Sequence, residues 1–151
     1  MPKLPKVDSS SAPVGADRPM SDAAVRILIV DDDAMLRRLL TKAFTEIGYE
    51  VAVAGDGSEA VQVFRDFHPD VVLMDIIMPE REGIETTMEL RLLDAEVPII
   101  AMSGGGRVGP GEFLALAEAL GATTSVTKPF TISQIRDVVD RVVKAPAAPP
   151  V

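Results

Sequence analysis

Short apolar runs rich in β-branched residues alternate along the chain with longer segments whose apolar residues recur at helical spacing. The five runs with strand character are VRILIV (25–30), YEVAVA (49–54), DVVLMD (70–75), VPIIAM (97–102) and TTSVT (123–127). Apolar residues three or four positions apart mark one face of a helix. The alternation therefore predicts an α/β protein of five β-α units, folded as a doubly wound parallel sheet with helices on both faces.

Two strands can be placed in the sheet from their polarity. The second strand is interrupted by Glu50, which favours an exposed edge position, whereas the third is almost wholly apolar and should be central. Asp31, Asp32 and Asp33 can cap the first helix, and Gly48 ends it. The residues expected on its apolar face are Met35, Leu36, Leu39, Leu40 and Phe44.

The later helices are expected between recognisable breaks. Pro79 and Gly83 break the loop before a helix near 84–94. A flexible loop, SGGGRVGPG (103–111), precedes a helix that runs to Leu120, and the last helix runs from about Ile132 to Val143.

Proline is concentrated at the two ends of the chain, with four of its 12 residues in the first twenty positions and three in the last six. We predict one domain at 25–144, a disordered extension at 1–24 and a disordered Pro/Ala tail at 145–151. Only seven residues follow Lys144, so no DNA-binding or enzymatic output domain is expected there.

The charge and composition of the chain argue against some classes of partner and favour one cellular location. The formal net charge of -8 repels phosphate backbones and anionic lipid surfaces, so neither nucleic acid nor membrane is expected as a direct partner. Cysteine is absent, which suits a reducing compartment. The sequence has no apolar run long enough for a membrane span and no secretory signal, so a cytoplasmic location is expected.

Polar side chains stand at the carboxyl ends of four predicted strands. Asp31 and Asp32 follow the first strand, Asp75 ends the third, and Ser103 and Lys128 follow the fourth and fifth. The carboxyl ends of parallel strands share one edge of the sheet, so these groups should converge there. Three clustered carboxylates repel one another more than one lysine can offset, and their oxygen ligands favour bound Mg²⁺.

A magnesium site of this kind also predicts a phosphoryl ligand. Mg²⁺ prefers one or two carboxylates together with waters and phosphate oxygens, and a carboxylate can itself accept a phosphoryl group to give an aspartyl phosphate. Lys128 would neutralise one phosphoryl oxygen while Ser103 donates a hydrogen bond to another. Taken singly, each residue also fits a plain role as a helix cap, loop hydroxyl or solvated charge. Their joint occurrence in this order is what indicates function.

The sequence resembles the response-regulator receiver family of two-component signalling over nearly all of residues 25–144. ILIVDDD (27–33) is similar to the family's acidic pair, VVLMDIIMPEREG (71–83) to its phosphoacceptor strand and loop, IIAMSG (99–104) to its hydroxyl motif, and VTKPF (126–130) to its lysine motif. The resemblance implies a flavodoxin-like sheet in strand order 2-1-3-4-5.

The resemblance also implies a role for each matching position. Asp75 would accept the phosphoryl group, Asp32 and Asp75 would bind Mg²⁺ directly, Asp31 would act through a water, and the backbone carbonyl of Ile77 would complete the protein ligands. The phosphoryl group would be held by Ser103, Gly104, Lys128 and Ile77. The family's cis peptide bond would fall at Lys128-Pro129.

As a receiver the chain would take its phosphoryl group from a histidine kinase or a histidine phosphotransfer protein and signal to an unknown protein target. The family suggests that this target docks on the face formed by the last two helices and the fifth strand. The protein would catalyse its own phosphorylation and slow dephosphorylation and no other reaction.

The chain departs from the family pattern at the positions that govern switching and lifetime. Ser125 replaces the aromatic residue that usually couples to motion of the hydroxyl residue, here Ser103. With five glycines at positions 104, 105, 106, 109 and 111, we hypothesise that ordering of this loop and its following helix carries the output. Ile77 and Gly105 occupy the two lifetime positions and cannot orient a water, so we predict slow self-hydrolysis.

Two other functions remain open from the sequence. A haloacid-dehalogenase-like phosphatase would use Asp31 as its nucleophile with Asp33 as the second acid, but it leaves Asp75 unexplained and lacks a later acidic motif. A receiver-like docking module that is never phosphorylated would need no repelling carboxylates.

Overall fold

The chain is described by a computed structural model over residues 24–76, 82–103, 119 and 121–144. The strands are β1 (Arg26–Val30), β2 (Glu50–Ala54), β3 (Val71–Asp75), β4 (Ile99–Ser103) and β5 (Thr124–Thr127). The helices of the described ranges are α1 (Ala34–Glu46), α2 (Gly57–Phe67), α3 (Glu82–Leu93) and α4 (Ile132–Lys144). The glycine-rich loop and the helix predicted to follow it lie outside the described residues, apart from Ser103.

All strand pairs are parallel, and the sheet order is β2-β1-β3-β4-β5. This confirms the predicted fold class. Every residue of β3 is buried, as expected of the central strand, whereas β2 lies at an edge and is partly exposed. From β1 the chain adds β2 on one side, and β3 and the later strands are then added on the other side of β1. This change of side is a topological switch point, and it opens a crevice at the carboxyl ends of β1 and β3.

The core has two layers, one on each face of the sheet. Alternate side chains of β1 point to opposite faces, so Ile27 and Ile29 pack with α1 and α4, and Leu28 and Val30 pack with α2 and α3. Burying each of these aliphatic side chains contributes about 1.5–3 kcal/mol relative to leaving it exposed. The two layers hold the strand ends that carry the polar residues.

Helix α1 begins and ends where the sequence predicts, but its buried face is different. Asp33 is the N-cap, and its carboxylate accepts from the backbone N–H groups of Met35 and Leu36. Gly48 follows the helix with a φ of 95°, a left-handed conformation that favours glycine. The predicted apolar face is wrong at Met35 and Leu39, which are 68% and 50% exposed.

The buried stripe of α1 is formed instead by Leu40, Ala43 and Phe44. Met35 and Leu39 precede Leu36 and Leu40 by one residue each, and one residue turns the side chain by about 100° around the helix axis. They therefore flank the stripe. Among residues 24–76, 82–103 and 121–144, no helix has both the length and the apolar character needed to cross a membrane.

Candidate functional site

Three carboxylates converge at the carboxyl edge of the sheet, where β1 and β3 end side by side. Val30 pairs with Met74, so the next residues, Asp31 and Asp75, also lie side by side. One carboxylate oxygen from each of Asp31, Asp32 and Asp75 lies within 4.8 Å of the others. Asp31 is fully buried and Asp75 is 3% exposed, whereas Asp32 is exposed. The cluster can therefore be reached from solvent on the Asp32 side.

Lys128 reaches this cluster from the other side of β4. Its backbone N–H donates to the Ser103 carbonyl at 2.7 Å, which fixes the start of the lysine side chain beside the end of β4. Its Nζ lies 2.7 Å from Asp31 Oδ2 and 3.4 Å from Asp75 Oδ2. The Lys128-Pro129 peptide bond is cis, as the resemblance implied.

The environment of Lys128 favours its charged form. Burial works against the ammonium charge, but the hydrogen bond to Asp31 and the negative charges of Asp75 and Asp31 outweigh burial and raise the pKa of Lys128. This ammonium group offsets one of the three clustered carboxylate charges. The remaining negative charge, in a place where two of the three side chains are almost out of contact with water, favours a bound cation.

The residues present fit a Mg²⁺ ion. The donors are carboxylate oxygens grouped within 4.8 Å, and hard oxygen ligands are those that Mg²⁺ prefers. Asp32 is exposed, so there is room for the waters and phosphate oxygens with which Mg²⁺ normally completes its ligand set.

Ser103 lies beside Asp75 on the neighbouring strand. Asp75 pairs with Met102 in the β3–β4 register, and the Ile76 N–H donates to the Met102 carbonyl at 3.1 Å, so Ser103 is one residue beyond that pairing. It is 3% exposed. The structure thus brings together Asp31, Asp32, Asp75 and Lys128, with Ser103 next in register. Ile77 and Gly104, which were predicted to contact the phosphoryl group, lie outside the described residues.

Ser125, the residue in the place of the family's aromatic switch, lies on β5 opposite Ala101. It is half-buried. Small residues therefore stand on both strands at this point, two positions before Ser103 on β4. The role of Ser125 in switching stays a prediction.

Gly83 is a residue of the site that the sequence placed in a loop, and this expectation is wrong. Helix α3 begins at Glu82 and includes Gly83. A Cβ built on Gly83 would lie 2.2 Å from the Asp75 carbonyl oxygen and 2.6 Å from Ile76 Cα. The first turn of α3 thus rests on the backbone of Asp75 and Ile76, and only glycine allows this approach. The sequence does contain a signal for this contact, because a glycine at the start of a helical segment can indicate that the helix packs closely on another part of the backbone.

Arg37 is a second residue that the sequence did not indicate. Its Nη1 donates to the backbone carbonyl of Asp31 at 2.7 Å. No residue pattern marks a contact of this kind, because the acceptor is a main-chain atom and only the fold brings it within reach.

The family model described as the response regulator receiver domain matches residues 27–140. The chain therefore belongs to the response regulator receiver domains, the family to which CheY-like proteins of two-component systems belong. Members of this family signal by phosphorylation, bind Mg²⁺ at an acidic aspartate cluster and interact with histidine kinases and phosphotransfer proteins; they are not classical enzymes.

Individual relatives agree with this assignment. The chain is 38% identical to the chemotaxis protein CheY of Thermotoga maritima over 120 residues, which covers 79% of this chain and 98% of that protein. It is 42% identical over 116 residues to the regulatory protein AtoC of Escherichia coli, and this match covers 77% of this chain but only 24% of AtoC. The crystallised chemotaxis protein CheY4 of Vibrio cholerae superimposes with a TM-score of 0.73 at 29% identity, covering 80% and 99% of the two chains.

The phosphatase alternative loses its second acid in this structure. Asp33 accepts hydrogen bonds from two backbone N–H groups at the start of α1, so its carboxylate serves as a helix cap. Family membership and this capping role both argue against a haloacid-dehalogenase-like reaction at Asp31.

Proposed function

We propose that this chain is a response-regulator receiver that accepts a phosphoryl group on Asp75 and signals through protein–protein interaction. The observation that carries the proposal is the arrangement around Asp75: its carboxylate lies 3.4 Å from Lys128 Nζ and within 4.8 Å of the carboxylates of Asp31 and Asp32. A nucleophilic carboxylate, a cation-binding pair and a fixed ammonium group are the parts that phosphoryl transfer to an aspartate needs.

The transfer step is a displacement at phosphorus. A carboxylate oxygen of Asp75 forms a bond to the phosphorus atom as the bond from phosphorus to the donor breaks. The leaving group is the imidazole nitrogen of a phosphohistidine, or acetate when acetyl phosphate is the donor, and it takes the bonding electron pair. Mg²⁺ bound to the acidic cluster would reduce the repulsion between the attacking carboxylate and the phosphoryl oxygens.

The chain's own residues hold the product. We propose that the Lys128 ammonium pairs with one phosphoryl oxygen and the Ser103 hydroxyl donates to another, with Gly104 and Ile77 supplying further contacts as in the family. Asp32 and Asp75 would ligate Mg²⁺ directly together with the Ile77 carbonyl, and Asp31 would act through a water. Asp31 already bonds Lys128 at 2.7 Å, which is consistent with an indirect role toward the ion.

The partners follow from this function. The donor is a histidine kinase or a histidine phosphotransfer protein, and the target is a protein that docks beside β5 and α4. We propose that residues 25–144 form the receiver, that 1–24 and 145–151 are flanking segments without fixed structure, and that the protein works in the cytoplasm. The lack of cysteine suits that compartment.

The direct experiment is incorporation of labelled phosphate from acetyl phosphate in the presence of Mg²⁺. The unchanged chain should be labelled, Asp75→Asn should lose the label, and Asp66→Asn, which changes an exposed aspartate of α2, should keep it. Hydroxylamine should release the label, because it cleaves an acyl phosphate but not a serine phosphate ester. Labelling that survives Asp75→Asn, or resists hydroxylamine, contradicts the proposal.

We also propose that the glycine-rich loop after Ser103 carries the output and that self-hydrolysis is slow. The support is the sequence: Ser125 replaces an aromatic, and neither Ile77 nor Gly105 has a side chain that can orient water. Amide exchange on both phosphorylation states tests the first part, and unchanged exchange over 103–120 would refute it. Rapid loss of phosphate without a phosphatase would refute the second.

A further inference from the structure

The polar groups of Asp31 are held by four different parts of the chain. Its N–H donates to the Ala54 carbonyl of β2 at 3.1 Å. One carboxylate oxygen accepts from the Asp33 N–H at 2.9 Å and the other from Lys128 Nζ at 2.7 Å. Its carbonyl accepts from Arg37 Nη1 at 2.7 Å. Asp31 is therefore fixed in both its side chain and its backbone.

The Arg37 guanidinium lies in a space that is open because residue 55 is a glycine. Arg37 lies just over one turn into α1 measured from Asp33, since its N–H donates to the Asp33 carbonyl, and its head group returns over the start of the helix to the end of β1. A Cβ built on Gly55, just beyond β2, would lie 3.1 Å from Arg37 Nη1 and 3.4 Å from its Cζ. The absence of a side chain at Gly55 thus lets the guanidinium lie between the β1–α1 turn and the β2–α2 loop.

The Arg37 bond determines how the peptide between Asp31 and Asp32 is oriented. This peptide plane carries the Asp31 carbonyl at one end and the Asp32 N–H at the other, so holding the carbonyl also sets the direction in which Asp32 leaves the strand. Asp32 is the exposed member of the carboxylate cluster, and the described contacts do not tie its side chain to another residue. Its position depends mainly on its backbone.

We propose that Arg37 is a positioning residue that holds the Asp31–Asp32 turn in the geometry required for the divalent cation. The inference rests on the proposed function, because it concerns the same cation site. Outer contacts that orient metal ligands commonly change metal affinity by about 10–100-fold when removed. Arg37 touches a ligand-bearing backbone and would have no contact with the ion.

The sign of the effect separates positioning from simple electrostatics. Arg37 is a cation near a site for a cation, so its charge alone opposes Mg²⁺ binding, and removing that charge should tighten binding. If Arg37 orients the turn, removing it should weaken binding. The two accounts therefore predict opposite changes in the dissociation constant for Mg²⁺.

The experiment is calorimetric titration of the full chain with Mg²⁺ alone. Arg37→Gln should weaken binding by about tenfold. Arg38→Gln removes the same charge from the next residue, which is exposed, and should change the affinity by less than about twofold, because exposed charges are well screened. Unfolding midpoints of both variants show whether the fold is kept.

A second variant displaces the guanidinium without changing Arg37. Gly55→Ala places a methyl group 3.1 Å from Nη1, which is tight enough to shift the flexible head group, and it should weaken Mg²⁺ binding in the same direction. Amide exchange gives a readout without metal: the Asp31 and Asp33 N–H groups should exchange faster in Arg37→Gln than in Arg38→Gln.

The outcomes are distinct. Weaker Mg²⁺ binding and faster exchange in Arg37→Gln and Gly55→Ala, with Arg38→Gln unchanged, support the inference. Binding by Arg37→Gln that equals or exceeds that of the unchanged chain overturns it and leaves the proposed function standing. No Mg²⁺ binding by the unchanged chain overturns the proposed function and this inference together.

Discussion

The two edges of the sheet differ in whether their charged side chains are paired. At the amino edge, where the strands begin, cationic side chains are matched to partners: Arg26 lies over the Phe67 ring at 4.5 Å and pairs with Glu50 at 3.4 Å. The Arg91 guanidinium donates to the backbone carbonyls of Gly121, Asp94 and Val97 at 2.8–3.1 Å. These charges serve to join loops and helix ends.

At the carboxyl edge the charges do not balance. Asp31, Asp32 and Asp75 crowd together, and the ammonium of Lys128 offsets one of their charges. Repulsion of this kind destabilises the fold unless a cation is bound. The difference shows that charged side chains serve structure at one edge and leave an unbalanced carboxylate cluster at the other. In the function proposed above, a cation and a phosphoryl group complete this second edge.

The largest stability effect should come from removing the ammonium at the carboxyl edge. Lys128→Met leaves the fully buried Asp31 carboxylate without its ion-pair partner, and breaking a buried pair costs about 3–5 kcal/mol. The free energy of unfolding in urea should fall by that amount, and Mg²⁺ should restore part of it. A loss below about 1 kcal/mol, as is typical of exposed pairs, would show that the carboxyl edge tolerates its charge.

The next effect concerns packing at the same edge. Gly83→Ala forces a methyl group against the Asp75 backbone, and overpacking of this kind costs about 1–3 kcal/mol. Urea unfolding would measure it, and phosphate incorporation should fall because Asp75 is displaced. Gly55→Ala is the control for stability alone, since its methyl group meets only the flexible Arg37 head group. An equal loss of stability in both variants would refute the explanation.

Substitution of a cationic residue at the amino edge should lower stability by a smaller amount, and this loss should not depend on Mg²⁺. Arg91→Met removes hydrogen bonds to three carbonyls, but water can reach this half-buried place, so the cost should be about 1 kcal/mol. Mg²⁺ affinity should not change. Arg65→Met, at an exposed position of α2, controls for loss of charge. Weakening of Mg²⁺ binding by Arg91→Met would erase the contrast between the edges.

A last effect of the same ammonium is visible only at alkaline pH. The folded-state pKa of Lys128 is raised above the ordinary value of 10.5: burial opposes the charge, but Asp31 and Asp75 outweigh it. The stability due to this ammonium is thus fully present below pH 10.5 and is lost as the pH rises through the folded-state pKa.

A Tyr49→Phe background isolates this effect. Burial, helped by the charge of Asp140, raises the pKa of Tyr49, so this phenol also makes stability fall in the alkaline range. Unfolding followed against pH should then show an alkaline loss that disappears in Lys128→Met. A loss of equal size in both chains would contradict the assigned role of Lys128.

Much of the carboxyl edge could be predicted because it depends on chain order. Parallel strands bring their carboxyl ends together whatever the details of packing, so Asp31, Asp32, Asp75, Ser103 and Lys128 were found from strand patterns alone. The exposed edge position of β2 and the central position of β3 followed from polarity in the same way.

The rest depends on distances that a linear pattern does not contain. The buried face of α1 depends on how the helix is rotated about its axis, which is why Met35 and Leu39 were misplaced. Gly83 is required by the separation between α3 and β3, and the Arg37 contact depends on the path of a long side chain to a main-chain oxygen. Each of these is a tertiary effect that acts between elements.

The most direct test of the incomplete carboxyl edge is the unfolding midpoint of the unchanged chain and of Asp75→Asn, each with and without Mg²⁺. Without Mg²⁺ the variant should be the more stable of the two, because one repelling charge is gone. With Mg²⁺ the unchanged chain should gain more, since a ligand stabilises the fold that binds it. A variant that is less stable without Mg²⁺, and that gains as much from Mg²⁺ as the unchanged chain, would contradict the account.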